Sequence, residues 1–168
     1  MTEVKAILEK MNGASPEDLA LVEKAYNFAE TAHKDQKRFS GESYITHPTE
    51  TARELAKLGM GAKTVAAGLL HDTLEDAGVS PQTIEKEFGK EILFLIEGVT
   101  KLGRLKYHGA ERHRESLRKH LVATAKEVRV LSLKLMDRLH NMRTLKSVPE
   151  EKRMRFALEG LEIYGALL

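Results

Sequence analysis

The 168-residue sequence contains no cysteine, no tryptophan and only four prolines. The absence of cysteine excludes disulfide bonds, thiolate metal sites and cysteine nucleophiles. It also fits the reducing interior of a cell, so we expect a cytoplasmic location. Because aromatic residues make up only 5% of the chain, Leu, Val, Ile, Ala and Met must fill the core.

Long hydrophobic runs are also missing. The longest are Ile92–Ile96 and, if glycine is allowed, Val65–Leu70. Both fall far short of the roughly 20 residues that span a membrane. The first ten residues mix Glu and Lys and lack the basic-then-apolar pattern of a signal peptide. The sequence therefore predicts a globular chain that does not associate with a membrane.

The net charge of +2 is too small to indicate a nucleic-acid-binding protein. The charge is unevenly distributed, however, because the stretch Lys101–His120 holds seven Lys and Arg residues and three His residues against two Glu residues. Such a stretch can bind a polyanion, including a phosphorylated small molecule. It can equally be a solvated loop and helix face, and both interpretations stay open on charge alone.

Apolar residues recur with helical spacing along most of the chain. Ser15-Pro16 and Ser80-Pro81 each combine an N-cap residue with proline at the first helical position. The predicted helices are Pro16–Ala32, Pro48–Leu58, Ala62–Ala77, Pro81–Phe88, Glu91–Thr100, Ala110–Lys126, Val128–Leu145 and Pro149–Leu167. Residues 34–47 interrupt this pattern and predict a loop, and only Val128–Leu133 is ambiguous with a strand. We therefore expect an all-α helical bundle that forms a single domain over residues 1–168.

His71 and Asp72 lie late in an apolar helix pattern, directly after Leu70. Two adjacent polar side chains at the edge of an apolar face need partners, since desolvating them unpaired costs several kcal/mol. A divalent metal ion is one solution, and hydrogen bonds to neighbouring groups are another. Glu75 and Asp76 follow one turn later, and three carboxylates within five residues repel one another unless a cation is present. This pattern favours a metal ion with acid/base groups beside it.

A second anomaly lies in the predicted helix Val128–Leu145, which is apolar almost all round and so largely buried. Asp137, Asn141 and Thr144 line one side of this helix. A carboxylate there is either paired with an arginine such as Arg138 or Arg143, or bound to a metal ion, and both alternatives stay open. His47, just before Pro48, is a third candidate ligand, but the long separations between these residues follow no local metal-ligand rule.

Five segments of the chain, taken together, resemble the HD-domain hydrolases and, within them, the (p)ppGpp hydrolase domain of RelA/SpoT homologues. The segments are RFSGESYITHPTETA, LLHDTLED, FGKEILFLIEGVTKLGRL, KLMDRLHNMRTL and the terminal EGLEIYGALL. The resemblance runs from about residue 25 to residue 164, and several blocks agree in order and spacing. It implies an HD-domain bundle that hydrolyses the 3′-pyrophosphate of (p)ppGpp to GDP or GTP and pyrophosphate.

Residue by residue, the resemblance implies roles that the spacing alone does not supply. It makes His47, His71, Asp72 and Asp137 the ligands of one divalent ion, usually Mn²⁺. It makes Glu75 and Asp76 the acidic pair that positions or deprotonates the attacking water. Arg38 and Ser40 match the loop lining the guanine pocket, while Asn141 and Thr144 match the nucleotide-contacting face of the later helix. The stretch Lys101–Lys119 overlaps a segment near the pyrophosphate.

The sequence departs from the family pattern at Phe39, where a basic residue commonly follows Arg38. This change leaves open a related phosphohydrolase that acts on another nucleotide, such as a 2′-phosphorylated dinucleotide. A non-catalytic nucleotide-sensing module is a third reading, although an idle site has no chemical need for all six acidic and histidine residues. No segment resembles the family's synthetase domain, so we expect either a small hydrolase or one domain of a longer protein.

Overall fold

The structure is a computed structural model that describes residues 3–103 and 127–150, together with residues 153, 154 and 157. In this part of the chain the regular elements are helical, apart from an isolated antiparallel bridge between Lys37 and Ser43. The helices are α1 (Glu3–Leu8), α2 (Pro16–Ala32), α3 (Thr46–Lys57), α4 (Ala62–Leu70), α5 (Thr73–Asp76), α6 (Pro81–Phe88), α7 (Lys90–Gly103) and α8 (Val128–Arg143), followed by a 3-10 turn at Leu145–Ser147. This architecture confirms the all-α prediction.

Helix α4 is the centre of the bundle, because it packs against α2, α3, α7 and α8. All of its residues except Lys63 are buried, as expected of a helix that is apolar on every side. The helix contains the apolar run Val65–Leu70, in which Leu69 and Leu70 are fully buried. The residues that follow α4, which begin with His71, therefore lie in the middle of the bundle.

A glycine sets the distance between α3 and α4. A Cβ atom added to Gly68 would lie 2.7 Å from Leu55 Cδ1 and 3.4 Å from the Ala52 Cα atom of α3. Leu55 and Ala52 are themselves fully buried, so neither has free space to move into. The missing side chain at Gly68 thus lets the two helices approach closely, and with them the candidate ligands that they carry.

Several sequence predictions are confirmed in detail. Helix α2 begins as predicted, with Ser15 Oγ accepting a hydrogen bond from the Asp18 backbone N–H at 3.1 Å. Helix α6 begins in the same way at Ser80, and it ends at Gly89, which has a φ of +85°. The ambiguous segment Val128–Leu133 is the first part of helix α8.

The predicted helix Ala62–Ala77 is wrong in its middle, because α4 ends at Leu70 and α5 begins at Thr73. Side chains capture the last carbonyls of α4: Thr73 Oγ1 donates to the Leu70 carbonyl at 2.6 Å, and His71 Nδ1 lies 2.8 Å from the Gly68 carbonyl oxygen. The helix is therefore interrupted at His71 and Asp72. A single turn survives beyond the break, since the Asp76 N–H donates to the Asp72 carbonyl at 2.8 Å.

Other boundaries also differ from prediction. Helix α3 begins at Thr46, two residues before Pro48, and α7 extends beyond both predicted ends. The short helix α1 was not predicted, because only Val4 and Ile7 on it are buried and two residues make no clear period. The predicted helix Ala110–Lys126, most of the basic stretch and most of Pro149–Leu167 lie outside the described residues. Among the described helices, none has both the length and the apolar character needed to cross a bilayer.

Candidate metal centre

Three side chains from separate helical segments converge at the end of α4. His47 lies at the start of α3, His71 follows the last residue of α4, and Asp137 lies in α8. Their possible ligand atoms all lie within 4.8 Å of one another, and all three residues are buried. His47 Nε2 is 3.2 Å from Asp137 Oδ1, and His71 Nε2 is 3.8 Å from the same oxygen.

Asp72 borders this trio from the junction between α4 and α5. Its Oδ1 atom lies 3.1 Å from His71 Nε2, and its Oδ2 atom lies 3.5 Å from His47 Nε2. Asp72 is half-buried, whereas the two histidines are almost fully enclosed. The structure therefore brings together all four side chains that the resemblance implies as ligands.

The hydrogen bonding of His71 leaves a bare nitrogen in this cluster. Its Nδ1 atom faces the Gly68 carbonyl oxygen at 2.8 Å, so Nδ1 carries the hydrogen and donates it. In the neutral ring Nε2 then carries a lone pair and no hydrogen. This buried atom has no hydrogen-bond partner among the described residues. It faces the carboxylate oxygens of Asp72 and Asp137, which are also acceptors. Acceptors that converge in this way fit a divalent cation, which histidine nitrogen and carboxylate oxygen both bind.

A third histidine, His140 of α8, lies against His47. The two Nδ1 atoms are 2.7 Å apart and both rings are buried. Burial is the main cause that lowers the pKa of His140 to about 4, with the neighbouring His47 adding to it. Burial likewise lowers the pKa of His47 from its ordinary value. Both rings are therefore neutral near pH 7, which is the form in which histidine binds metal ions.

Asp137 is ionised despite its burial. Burial by itself raises the pKa of this carboxyl, but the charge of the Lys134 ammonium opposes it, and the pKa is held well below its usual value. Lys134 Nζ lies 2.8 Å from Asp137 Oδ2, and Asn141 Nδ2 donates to Oδ1 at 2.7 Å.

The possibility that Asp137 pairs with Arg143 is not what the structure shows. Arg143 pairs instead with Glu54 of α3, at 3.2 Å. The cationic partner that the sequence analysis overlooked is Lys134, one turn before Asp137 on the same helix.

The acidic pair, Glu75 and Asp76, follows Asp72 in the short helix α5. Glu75 and Asp76 are both exposed on α5. Tyr44 joins Asp76 to the cluster, since its hydroxyl lies 2.6 Å from Asp76 Oδ2 and 3.0 Å from Asp72 Oδ2. Burial, followed by the charge of Asp72, raises the pKa of Tyr44, so the hydroxyl keeps its proton and serves as a donor.

The loop before α3 is folded back onto the cluster. The Arg38 N–H donates to the Glu42 carbonyl at 2.9 Å, and Gly41 adopts a φ of +86° that favours glycine. This turn directs Arg38 over the Tyr44 ring, with its guanidinium carbon 5.6 Å from the ring centroid. Arg38 Nη2 also donates to Asn141 Oδ1 at 2.9 Å. Phe39, the next residue, is 61% exposed.

For two of the predicted substrate-binding residues, Ser40 and Thr144, every described hydrogen-bond partner is close in the sequence. Ser40 Oγ donates to Glu42 Oε2 of its own loop at 3.2 Å. Thr144 Oγ1 donates to the His140 carbonyl of its own helix at 3.1 Å. The structure thus brings Arg38 and Asn141 together beside Asp137. No described hydrogen bond joins Ser40 to that group, and Thr144 reaches it only by donating to the Asn141 backbone carbonyl, at 3.3 Å.

Three residues of the cluster escaped the sequence analysis. Lys134 and His140 stand three residues before and after Asp137, which places them on its face of the helix. That spacing was a usable signal. Tyr44 gave none, because it lies in an irregular loop whose course only the folded chain reveals.

The chain is similar in sequence to known proteins. A family profile described as HD domain matches residues 25–167. A guanosine-3′,5′-bis(diphosphate) 3′-pyrophosphohydrolase of Aquifex aeolicus is 46% identical over 160 residues, which is 95% of this chain and 23% of that protein. The bifunctional (p)ppGpp synthase/hydrolase SpoT of Escherichia coli is 46% identical over 154 residues, covering 90% of this chain and 22% of that protein. The chain thus spans about a fifth of the length of these curated relatives.

A solved structure also shares the fold. Its description reads "A metazoan ortholog of SpoT hydrolyzes ppGpp and plays a role in starvation responses". It aligns with a TM-score of 0.69 over 88% of this chain and 85% of that one, at 22% sequence identity. At this identity the likeness supports the helical fold and not the reaction.

Proposed function

The chain belongs to the HD-domain family, and from this premise we propose that it hydrolyses the 3′-pyrophosphate of (p)ppGpp. The products would be GDP or GTP and pyrophosphate. The observation that carries the proposal is the buried convergence of His47, His71 and Asp137, with Asp72 beside them and Asp76 connected to Asp72 through the Tyr44 hydroxyl. The names of the two relatives at 46% identity support the choice of substrate.

We assign His47, His71, Asp72 and Asp137 as ligands of one divalent ion, with Mn²⁺ as the proposed metal. The bare His71 Nε2 atom supports this assignment, because this nitrogen and the carboxylate oxygens that it faces are all acceptors. When bound, such an ion activates water and polarises a phosphoryl oxygen. Imidazole and carboxylate ligands suit several divalent ions, so the choice of Mn²⁺ rests on the family resemblance.

Glu75 and Asp76 are the proposed acid/base pair. Asp76 is oriented by the Tyr44 hydroxyl, and this hydrogen bond holds the carboxylate at the edge of the cluster. In the proposed reaction a water oxygen forms a bond to the phosphorus attached to the 3′-oxygen, and the bond from phosphorus to that oxygen breaks. One carboxylate of the pair takes the proton of the water and returns it to the departing 3′-oxygen.

Arg38, Ser40, Asn141 and Thr144 are the proposed nucleotide-binding residues. The planar Arg38 guanidinium can stack on a purine, and Asn141 offers an amide to the sugar. Support comes from the position of these two residues beside Asp137, where they hydrogen-bond to each other. For Ser40 and Thr144 the support is the family resemblance alone.

We also propose that residues 1–168 form one hydrolase domain, and that it works in the cytoplasm. The lack of cysteine supports the second point. The proposed partner is the guanosine nucleotide, and the small net charge of +2 supports the prediction that nucleic acid is not a partner.

The test is an inorganic-phosphate assay on the purified full chain, run with added pyrophosphatase to detect released pyrophosphate and without it to detect released phosphate. ppGpp, pppGpp, an adenosine 3′-pyrophosphate analogue and a 2′-phosphorylated dinucleotide are supplied with Mn²⁺ or with a chelator. We expect Mn²⁺-dependent release of pyrophosphate from the guanosine substrates, and its loss in the matched variant Asp137→Asn. Cleavage of the adenosine analogue at an equal rate would overturn the guanine assignment. Binding of ppGpp without turnover would indicate the non-catalytic sensing module instead.

A further inference from the structure

His140 lies behind His47, on the side of the ring opposite the proposed metal-binding nitrogen. The Nδ1 atoms of the two rings are 2.7 Å apart, while His47 Nε2 faces Asp137 and Asp72 at 3.2 and 3.5 Å. His140 has no part in the proposed reaction, yet its side chain is polar and buried. Its contact with His47 therefore calls for a physical reason.

Two neutral imidazoles can form this contact in only two ways. Each neutral ring carries one N–H group and one bare nitrogen. At 2.7 Å one Nδ1 must donate and the other accept, because two lone pairs or two hydrogens would repel. If His140 donates, the hydrogen of His47 is on Nε2 and points toward Asp137. If His47 donates, its Nε2 is bare, and only this form can bind a cation.

We propose that His140 is a positioning residue that accepts the Nδ1–H hydrogen bond of His47 and so holds His47 in its metal-binding tautomer. The inference rests on the metal site proposed above. In this arrangement His140 carries its own hydrogen on Nε2. Partners behind a ligating histidine commonly fix its tautomer and ring orientation in this way.

The contrast with His71 shows why His140 matters. The Nδ1–H of His71 donates to the Gly68 carbonyl oxygen, which is always an acceptor, so its tautomer is fixed by the backbone. His47 has no such backbone partner among its described hydrogen bonds from the ring, and it depends on a side chain that can donate or accept. A mutation at position 140 can therefore remove the acceptor of His47, whereas a side-chain substitution would leave the backbone acceptor of His71 in place.

A matched pair of variants separates the hydrogen bond from the shape of the side chain. Asn and Leu have nearly the same shape, but only Asn places an acceptor oxygen close to the position of Nδ1. Mn²⁺ binding to the metal-free full chain is measured by calorimetry, and the melting temperature without metal is recorded as a folding control. We expect His140→Leu to weaken Mn²⁺ binding by about 10- to 100-fold, the usual effect of losing such a partner. We expect His140→Asn to retain most of the affinity.

The activity of the variants adds a second readout. If His140 acts only through metal binding, the His140→Leu variant recovers its kcat at saturating Mn²⁺ with an unchanged KM for the nucleotide. Equal weakening of Mn²⁺ binding in both variants would overturn the proposal, as would unchanged binding in His140→Leu. A wild-type chain that binds no Mn²⁺ would overturn the metal site itself, and with it this inference.

A measurement on the wild-type chain avoids any dependence on the folding of a variant. Nitrogen-15 NMR of the two imidazoles in the Zn²⁺-bound chain reports which nitrogen carries each hydrogen, since Zn²⁺ is diamagnetic. We expect the hydrogens on His47 Nδ1 and on His140 Nε2. A hydrogen on His140 Nδ1 in the metal-bound chain would overturn the proposal.

Discussion

Arg38 and Asn141 are joined by a hydrogen bond of 2.9 Å between Nη2 and Oδ1, although 103 positions separate them in the sequence. Asn141 also donates through Nδ2 to Asp137 Oδ1 at 2.7 Å. One amide thus connects the loop before α3 to a candidate metal ligand. A nucleotide that engages Arg38 would consequently be held next to the proposed reaction centre.

Replacing Arg38 with alanine should raise the KM for ppGpp by about tenfold or more, with a smaller effect on kcat. The side chain supplies binding in both the ground state and the transition state, and the loss of such binding appears in KM. Arg38→Lys should not restore the affinity, since an ammonium can neither stack on a purine nor form the same forked contacts. Steady-state kinetics of both variants check this expectation. Lys63→Ala, at the opposite end of α4, serves as the control, and an unchanged KM in Arg38→Ala would contradict the assigned role.

The proposed acid/base pair and the proposed metal ligands should respond differently to removal of charge. Glu75→Gln and Asp76→Asn should lower kcat by about 10²-fold or more, the usual scale of acid–base catalysis, while Mn²⁺ affinity is kept. Asp72→Asn should instead weaken Mn²⁺ binding itself, because its carboxylate lies against both histidines. Calorimetry with Mn²⁺ and turnover assays separate the two effects. Nearly normal turnover in both variants of the pair would show that neither carboxylate moves the proton.

Removing the Tyr44 hydroxyl should lower turnover without unfolding the chain. Tyr44→Phe keeps the ring that Arg38 covers but deletes the hydrogen bonds to Asp72 and Asp76. A hydrogen bond to a charged group is worth about 1.5–3 kcal/mol, so we expect kcat to fall by about tenfold or more. Tyr26→Phe is the matched control, since its hydroxyl binds Glu30 on α2. Equal kinetics in the two variants would argue against a role for Tyr44 in placing Asp76.

The metal-free chain should lose stability as the pH falls from about 6.5 toward 4. Burial lowers the pKa of His140 to about 4 and also lowers that of His47. Below the ordinary histidine pKa the unfolded chain therefore binds protons that the folded chain does not, and the free energy of unfolding falls by up to about 1.4 kcal/mol per pH unit for each such group.

Urea unfolding in the presence of a chelator, in the upper part of this pH range, measures the slope. His140→Asn should give a shallower pH dependence than the wild type, because one of the two histidines whose pKa is lowered by burial is gone. Parallel slopes in the two proteins would show that His140 is not held neutral by the fold.

The bundle was largely predictable from the sequence, because caps such as Ser15 and Ser80 and apolar periods are local signals. The break at His71 was not, since its cause is a set of side-chain hydrogen bonds that a continuous apolar pattern conceals. His71 and Asp72, the residues at this break, lie 3.8 Å from Asp137 and 3.5 Å from His47, respectively.

The ligand set could be assembled before the structure only through the family resemblance. No spacing rule connects His47 to Asp137, because the packing of α3 against α4 and α8 brings them together. The partners of the ligands were harder still. The Tyr44 hydroxyl contacts Asp72 and Asp76, and His140 contacts His47; these contacts depend on where a loop or a ring comes to lie in the folded chain.

The convergence of α3, the α4–α5 junction and α8 has a consequence for the life of the chain in the cell. The unfolded polypeptide has no such cluster, so the proposed cation would bind the folded form alone and stabilise it by mass action, by about 2.7 kcal/mol when the free ion is at 100 times its dissociation constant. Scarcity of the ion would then increase the unfolded population that proteases attack. Metal supply would thereby govern the abundance of the protein as well as its turnover.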